Sequence, residues 1–331
     1  MHPLDFFVRR DGALRAPVRV ALFLAATAVG AILIPGLLVP VLSAVGIVAW
    51  ARRLGVPLDQ WEAVLVFALA TWIALRAEAT TPHKPEPAGA GVPESGHARQ
   101  QRVAVPRPDW SRVDLHTGAL ASRALGVGLL AGTFGILVPC VILLLARRLR
   151  FEPAAGTSSW AKAASIAALT LVPAALAEEL AVRGYVLTVL RDVWKPQAAV
   201  LVTSALFAAL HLLNPAPTPL TTLSVGLAGV LLASVRLATQ SLYAAAAAHF
   251  AWNFVQAAIL HTPVSGIVLS ETGYRTADAG PAWLTGGAWG PEGGAAAVAA
   301  MLVATFLLVR WWRAHSGRRA LGARDANGNV I

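Results

Sequence analysis

The chain has 331 residues, of which 56% are hydrophobic and only 13% are charged. Soluble globular proteins carry about 25% charged residues, so this chain has too few charges to cover a water-facing surface. The composition excludes a soluble enzyme, a fibrous protein and a disordered chain, and it predicts a polytopic membrane protein. The net charge of +10 does not indicate nucleic-acid binding, because Lys and Arg cluster at the ends of apolar runs, where they set topology.

Apolar runs along the chain predict an all-α fold of about eight transmembrane helices, since about 20 apolar residues cross a bilayer as a helix. The predicted spans are 20–50, 61–78, 124–146, 161–190, 197–214, 219–238, 241–260 and 295–312. The first span is long and contains Pro35 and Pro40, which predicts either a kinked helix or a tight helical hairpin. The fourth is also long and should leave the bilayer as an interfacial helix ending near Arg191 and Trp194.

Composition also divides the chain into segments. These are the N-terminal spans at 1–78, a polar linker at 79–121, the third span and a loop at 122–160, a core at 161–312 and a basic tail at 313–331. The linker combines many prolines with charges of both signs, which favours an extended or disordered segment. A second loop, 261–294, is rich in Gly, Pro and Trp and predicts a tightly turned connection between spans.

Basic residues predict that both termini are cytoplasmic. Four arginines between Arg9 and Arg19 precede the first span, and further arginines follow the last. Positively charged residues near span ends remain on the cytoplasmic side. Arg52–Arg53 and the basic residues at 147–150 are the exceptions. The Ala-, Arg- and Gly-rich composition indicates a bacterial protein, and therefore an integral protein of the inner (plasma) membrane.

One cluster of ionisable residues lies deep in a predicted span. It consists of Glu178, Glu179 and Arg183. A charge at bilayer depth costs a few kcal/mol or more, so it indicates either a function or a structural pair. Glu179 and Arg183 are four residues apart on one helical face and can pair. Glu178 lies about 100° around the helix and can face a cavity instead.

Neighbouring spans carry two further polar patterns. Phe207 and His211 are four residues apart, as are His249 and Asn253. Together with Glu178 they can bring a carboxylate, two imidazoles and a carboxamide to one cavity. A carboxylate or imidazole can activate water, and imidazole and amide N–H groups can hold an oxyanion, so the set suits amide hydrolysis. A carboxylate and two imidazoles also form a known set of zinc ligands. Each polar residue alone could merely join helices, but their combination favours one shared site.

Three motifs therefore stand in order in separate spans. They are Glu178-Glu179-Leu-Ala-Val-Arg183, Phe207-Ala-Ala-Leu-His211 and His249-Phe-Ala-Trp-Asn253. In this order they resemble the motifs of the CAAX protease and bacteriocin-processing (CPBP) family of intramembrane proteases, which includes the type II CAAX prenyl endopeptidases. The resemblance covers roughly 161–260, within the 161–312 segment, which is then a protease core. Many family members have Phe where this chain has Val182.

The resemblance implies an eight-helix membrane fold whose site opens toward the cytoplasmic half. It implies that Glu178 activates water with help from His211, and that His249 and Asn253 stabilise the oxyanion. Glu179, Arg183 and Phe207 would support the site. The family is commonly labelled as metalloproteases, and a metal-free glutamate mechanism is also argued for it. If Zn²⁺ is required, its ligands here would be Glu178, His211 and His249.

The implied activity is endopeptidase cleavage of a membrane-associated peptide or protein, either a prenylated CAAX protein or another substrate, within a lipid bilayer. Two other classes of protein remain open. A non-catalytic scaffold or immunity partner could use the polar cavity only to bind peptide. A transporter could use it as an ion site, but transporters often show internal repeats, and no convincing repeat is present in this sequence.

Overall fold

The computed structural model describes residues 13–81, 107–269 and 272–322, with side chains described as far as residue 314. Helices dominate this part of the chain and confirm the predicted all-α fold. Their bounds are α1 Ala16–Ala44, α2 Ile47–Leu54, α3 Asp59–Thr80, α4 Ser122–Leu145, α5 Trp160–Glu179, α6 Tyr185–Val193, α7 Pro196–Leu210, α8 Pro219–Thr239, α9 Leu242–Phe254, α10 Ala282–Thr285 and α11 Ala295–Gly322. Most of the basic tail at 313–331 lies outside the described side chains.

Seven helical segments of the described chain are long and apolar enough to cross a membrane, which makes this a polytopic membrane protein. One of them is the segment Trp160–Val193, which contains both α5 and α6. The remaining predicted span, 241–260, corresponds to α9 and the π-helical turn Val255–Leu260 that continues it. The combined helix covers residues 242–260, close to the length that a bilayer requires.

The first predicted span ends earlier than expected. Helix α1 runs without interruption through Pro35 and Pro40, so the alternative of a helical hairpin is wrong. The helix stops at Ala44, and Gly46 adopts a left-handed φ of 78° before the separate short helix α2 begins. Glycine takes this backbone conformation without a steric penalty, so the turn at Gly46 breaks the apolar run that the sequence presented as one span.

The bundle has two distinct ends. Strands β1 (Leu149–Pro153) and β2 (Tyr274–Asp278) pair antiparallel at one end, which we call the ribbon face. There His261 ends the helix that follows α9, and its ring packs edge-on against Tyr274. Burial lowers the pKa of His261. The opposite end, which we call the linker face, holds the start of α1, the ends of α3 and α6, and residues 107–121.

The described end of the linker is folded rather than extended. Residues Trp110–Val113 and Thr117–Leu120 form two short 3₁₀ helices. Between them, Asp114 accepts a hydrogen bond from Arg236 of α8 at 3.0 Å, and its carbonyl accepts the backbone N–H of Leu242. Polar composition made this stretch resemble a linker, but tertiary hydrogen bonds fix it in place. Residues 82–106 of the predicted linker lie outside the described residues.

An ionic network joins helices at the linker face. Asp192 of α6 accepts from Arg19 of α1 at 2.8 Å and from Arg112 at 2.7 Å. Glu78 of α3 also pairs with both arginines and accepts a hydrogen bond from Tyr185. Because two arginines alternate with two carboxylates, the charges balance, and this end of the bundle is held by several ion pairs.

Helix α4 packs unusually closely on α9, the helix that carries His249 and Asn253. A Cβ atom added at Gly128 would lie 2.1 Å from the carbonyl oxygen of Ala244, and one added at Gly132 would lie 2.0 Å from that of Ala248. Only glycine permits this approach of two backbones, which is the packing that small residues allow between membrane helices. The two glycines therefore help to fix the position of α9.

The substitution Gly132→Ala should destabilise the protein, because its methyl group would force α4 away from the backbone of α9. Overpacked sites typically lose about 1–3 kcal/mol of unfolding free energy. The measurement is unfolding in detergent by heat or by SDS titration. Gly126→Ala, on the same helix, is the matched control, because no neighbouring atom lies within 4 Å of the Cβ that it adds. Equal stability of the two variants would contradict the close packing of α4 on α9.

Candidate active site

The centre of the site is a buried carboxylate on α5. Glu179 Oε1 accepts a hydrogen bond from Arg183 at 2.8 Å, and both side chains are 0% exposed. The same oxygen lies 3.1 Å from Nδ1 of His249 on α9. Glu179 therefore joins the two helices that carry most of the candidate residues, and its charge is balanced by the guanidinium one turn away.

The adjacent carboxylate, Glu178, faces the cavity instead. Its side chain is 40% exposed, and its Oε2 lies 3.8 Å from Nε2 of both His211 and His249. These distances exceed those of direct hydrogen bonds. They are short enough for a carboxylate and an imidazole to contact the same small molecule. The two neighbouring glutamates thus have different surroundings, one buried against an arginine and one facing two imidazoles.

Hydrogen bonds to the other ring nitrogen orient both imidazoles. Nδ1 of His211 lies 2.9 Å from the carbonyl oxygen of Phe207, and Nδ1 of His249 faces the Glu179 carboxylate. A carbonyl or carboxylate oxygen can only accept, so Nδ1 carries the proton in each ring. In the neutral rings both Nε2 atoms are then acceptors, and both point toward Glu178.

The ring of Phe207 packs against three of the candidate side chains. It lies 4.5 Å from the ring of His211 and contacts the ring of His249 edge-on at 5.8 Å, measured between centroids. The guanidinium carbon of Arg183 lies 3.9 Å above its centroid. A cation above an aromatic face is stabilised by the ring quadrupole. Phe207 therefore packs against both imidazoles and provides a second contact for the buried arginine.

A cavity of about 380 Å³ brings the candidate residues together. Its polar lining includes Glu178, His211, His249 and Asn253. Asn253 stands one turn after His249 on α9 and is half-buried, which leaves its carboxamide toward the cavity. Most of the other lining side chains are apolar, among them Phe67, Leu171, Val182, Leu210, Val264 and Leu269. An apolar cavity with a few convergent polar groups has the general character of a binding site for part of a peptide.

The helix of Glu178 and Glu179 and the helix of His249 and Asn253 both change to π-helix shortly after these residues. The turn Leu180–Gly184 follows Glu179, and the turn Val255–Leu260 begins two residues after Asn253. The carbonyl of Gly184 accepts hydrogen bonds from Arg236 and Thr188. Such π-turns occur frequently at functional sites. Arg236 therefore supports the backbone immediately after the carboxylate motif.

Three of the candidate side chains are possible ligands of a zinc ion. Glu178, His211 and His249 have the right chemistry, but no group of three His, Cys, Asp or Glu side chains in the described chain is arranged to hold a metal ion. The Nδ1 atoms are engaged by Glu179 and Phe207, and only the Nε2 atoms face Glu178. An engaged Nδ1 with a free Nε2 is also the arrangement of metal-ligating histidines, so the residues disagree with a zinc site in their positions and not in their chemistry.

Sequence reasoning missed two charged residues that surround the site. Arg236 is fully buried at the end of α8, and Glu292 is buried in the loop 261–294. Their positions at a span edge and in a loop predict solvated charges. A glutamate within a loop gives no periodic signal, and only its contacts in the folded chain reveal that it is buried.

The cavity lies toward the ribbon face, away from the linker face. Gln60 in the first turn of α3 lines it, as do Asn214 after α7 and Ser265 and Ile267 of the loop 261–294. The resemblance implies a site toward the cytoplasmic half, whereas the charges predict that the termini and linker are cytoplasmic. Because the cavity and the linker are at opposite ends of the bundle, these two expectations exclude each other.

The fold and the cavity together define an all-α membrane protein with a carboxylate, two imidazoles and a carboxamide facing one intramembrane cavity. Residues 160–255 match the family model of type II CAAX prenyl endopeptidase Rce1-like proteins. The matched segment contains all three motifs and is similar to this family, which confirms the family resemblance of the motifs. At family level this indicates a CAAX-type intramembrane endopeptidase. Comparison with curated proteins and with solved structures gave no match.

Arg183→Ala should lower the stability of the protein. Removing one partner of a buried ion pair leaves the other charge uncompensated and typically costs about 3–5 kcal/mol of unfolding free energy. The measurement is unfolding of the purified protein in detergent. Arg191→Ala is the control, because Arg191 is exposed on α6. If Arg183→Ala unfolds like the control but has lost activity, Arg183 takes part in the chemistry rather than in structural support.

Proposed function

We propose that the protein is an intramembrane endopeptidase in which Glu178 activates water. A water molecule in the cavity can donate one hydrogen bond to Glu178 Oε2 and the other to Nε2 of His211, which are 3.8 Å apart. Glu178 takes a proton as the water oxygen attacks the scissile carbonyl carbon, and it later passes this proton to the departing amine. The products are a carboxylic acid and an amine, and the carboxylate is regenerated.

Asn253 and His249 stabilise the tetrahedral intermediate in this proposal. The Asn253 carboxamide donates to the developing oxyanion, as a neutral donor in a water-poor cavity can do effectively. His249 can donate from Nε2 only when that atom is protonated, because the proton on Nδ1 is directed toward Glu179. Glu179 and Arg183 hold His249 in position, and the Phe207 ring packs against both imidazoles.

The observation that carries the proposal is the approach of the Glu178 carboxylate to two oriented imidazoles within one cavity. It favours an enzyme over a scaffold, since peptide binding alone does not require a carboxylate facing two acceptor nitrogens. The substrate is proposed to be a membrane-associated peptide or protein, with prenylated CAAX-type sequences as the first candidates. The site residues are proposed to act without Zn²⁺, because their positions do not form a metal site.

Glu178→Gln should abolish cleavage while leaving unfolding nearly unchanged, because the amide keeps the shape of the side chain but is not a base. A positioned base contributes roughly 10²–10⁴-fold to rate. The assay is cleavage of a quenched-fluorescence peptide ending in a farnesylated CAAX sequence by the detergent-solubilised full-length protein. Glu152→Gln is the control, since Glu152 is an exposed carboxylate of β1.

Two outcomes would contradict this mechanism. Full activity of Glu178→Gln would exclude Glu178 as the base. If the active protein holds one zinc ion per chain, and His249→Ala loses both the zinc and the activity, then His249 is a metal ligand. In that case Asn253 alone would stabilise the oxyanion. If wild-type protein cleaves neither the farnesylated peptide nor its unprenylated form, a scaffold role gains support over an enzyme of this specificity.

We further propose that the linker face is cytoplasmic, so that the cavity opens toward the opposite side of the membrane. Among the described residues, more of the Lys and Arg near span ends lie at the linker face than at the ribbon face, and such residues set orientation. In this orientation the site does not open toward the cytoplasmic half, contrary to what the family resemblance implies. A bacterial inner-membrane location agrees with this orientation, and the substrate would present its scissile bond from the non-cytoplasmic side.

Cysteine labelling tests this orientation. Cys140 is the single cysteine and is buried, so Cys140→Ala provides a background without thiols. Thr157→Cys, exposed at the ribbon face, should react with a membrane-impermeant thiol reagent in intact bacteria. Thr117→Cys, exposed at the linker face, should react only after lysis. The opposite pattern would reverse the orientation and place the cavity on the cytoplasmic side.

A further inference from the structure

Glu292 is a buried carboxylate for which the proposed mechanism has no use. It stands in the loop 261–294, on the ribbon face, and is only 8% exposed. It lines a small cavity of about 40 Å³ whose walls also include His211, His249 and Asn253. A carboxylate of a surface loop is thus adjacent to the candidate catalytic residues.

Four donors from two parts of the chain hold this carboxylate. Oε2 accepts from the indole N–H of Trp252 at 2.7 Å and from the amide of Gln256 at 2.8 Å. Oε1 accepts from the backbone N–H of Ser265 at 2.6 Å and from its hydroxyl at 2.7 Å. These bonds use the accepting capacity of both carboxylate oxygens, so Glu292 has none left to bind a substrate directly.

The first two donors connect Glu292 to the helix of His249 and Asn253. Trp252 directly precedes Asn253, and Gln256 lies one turn later, within the π-turn that follows α9. Residues four apart share one helical face, so Glu292 accepts hydrogen bonds from two positions on that face. Rotation of the helix about its axis, which would turn the Asn253 carboxamide away from the cavity, would break both bonds.

The other two donors connect Glu292 to the turn that holds His211. Ser265 adopts a left-handed φ of 48°, and its carbonyl accepts from the side-chain amide of Asn214 at 3.2 Å. The backbone N–H of Asn214 in turn donates to the carbonyl of His211 at 3.1 Å. A continuous series of hydrogen bonds therefore leads from Glu292 to the segment that carries the second imidazole.

We propose that Glu292 is a positioning residue that fixes Asn253 and His211 relative to each other across the cavity. The inference rests on the proposed peptidase function. A neutral amide cannot replace the carboxylate, because its NH₂ group would face two existing donors and leave them without acceptors. Misplacement of catalytic groups by about 1 Å can cost about 10²-fold in rate.

Glu292→Gln should therefore lower kcat about 10- to 100-fold with little change in KM, measured per folded molecule on the farnesylated quenched peptide. Ser265→Ala removes only the hydroxyl donor and should give a smaller loss of kcat. Glu152→Gln, on the same face but exposed, should leave both constants unchanged. A purely structural role for Glu292 would lower the yield of folded protein but not kcat per folded molecule, and that result would overturn the proposal.

A second measurement does not depend on activity. Val264 is buried and lines the catalytic cavity, so Val264→Cys in the Cys140→Ala background should react slowly with a maleimide. Adding Glu292→Gln should raise this rate at least several-fold, because the segment around Ser265 is released. Ala70→Cys, buried in α3, should remain protected and exclude global unfolding.

The two measurements separate the failure of each proposal. If wild-type protein does not cleave the peptide while Glu292→Gln raises labelling at Val264→Cys, the peptidase assignment fails and the role of Glu292 in holding the segment is supported. If labelling is unchanged by Glu292→Gln, or rises without any loss of kcat in an active enzyme, the positioning role is excluded.

Discussion

The contact between Glu179 and His249 is the interaction on which the geometry of the site depends. It joins α5 to α9, whose residues are 70 positions apart in the chain, within the interior of a membrane bundle. A carboxylate there is costly unless it is paired, and Arg183 supplies the opposite charge one turn away. Once Glu179 is engaged in this way, the helix directs the neighbouring Glu178 toward the cavity. The same hydrogen bond fixes which nitrogen of His249 faces Glu178.

The sequence allowed most of this site to be predicted, because polar residues are rare in membrane spans and are therefore conspicuous. Glu178, His211, His249 and Asn253 all line the predicted cavity, and the pairing of Glu179 with Arg183 follows directly from a spacing of four residues. The spans themselves could be located because a bilayer imposes a length on each apolar run.

What the sequence did not reveal depends on contacts between distant residues or on local backbone changes. Glu292 lies in a Gly-rich loop, and Arg236 lies at a span end, where sequence reasoning assigns charges to solvent. Their burial arises from partners such as Trp252 and Asp114, which are far away in sequence. The two π-turns leave no periodic signature, because a single turn does not alter the hydrophobic pattern. The turn at Gly46 was similarly hidden within one apolar run.

The two ends of the bundle are stabilised by different interactions, and this difference bears on how a substrate reaches the cavity. At the linker face, Arg19, Glu78, Arg112 and Asp192 form alternating ion pairs that tie α1, α3 and α6 together. Opening this end would separate several charges at once in a partly buried setting. At the ribbon face, the cavity is bordered by loop residues 263–269, which are held by hydrogen bonds from Ser265 to Glu292, from Asn214 to the Ser265 carbonyl and from the Gly266 N–H to the Trp289 carbonyl. Because loop residues of the ribbon face line the cavity directly, a peptide that enters from this side does not have to separate the ion pairs of the linker face.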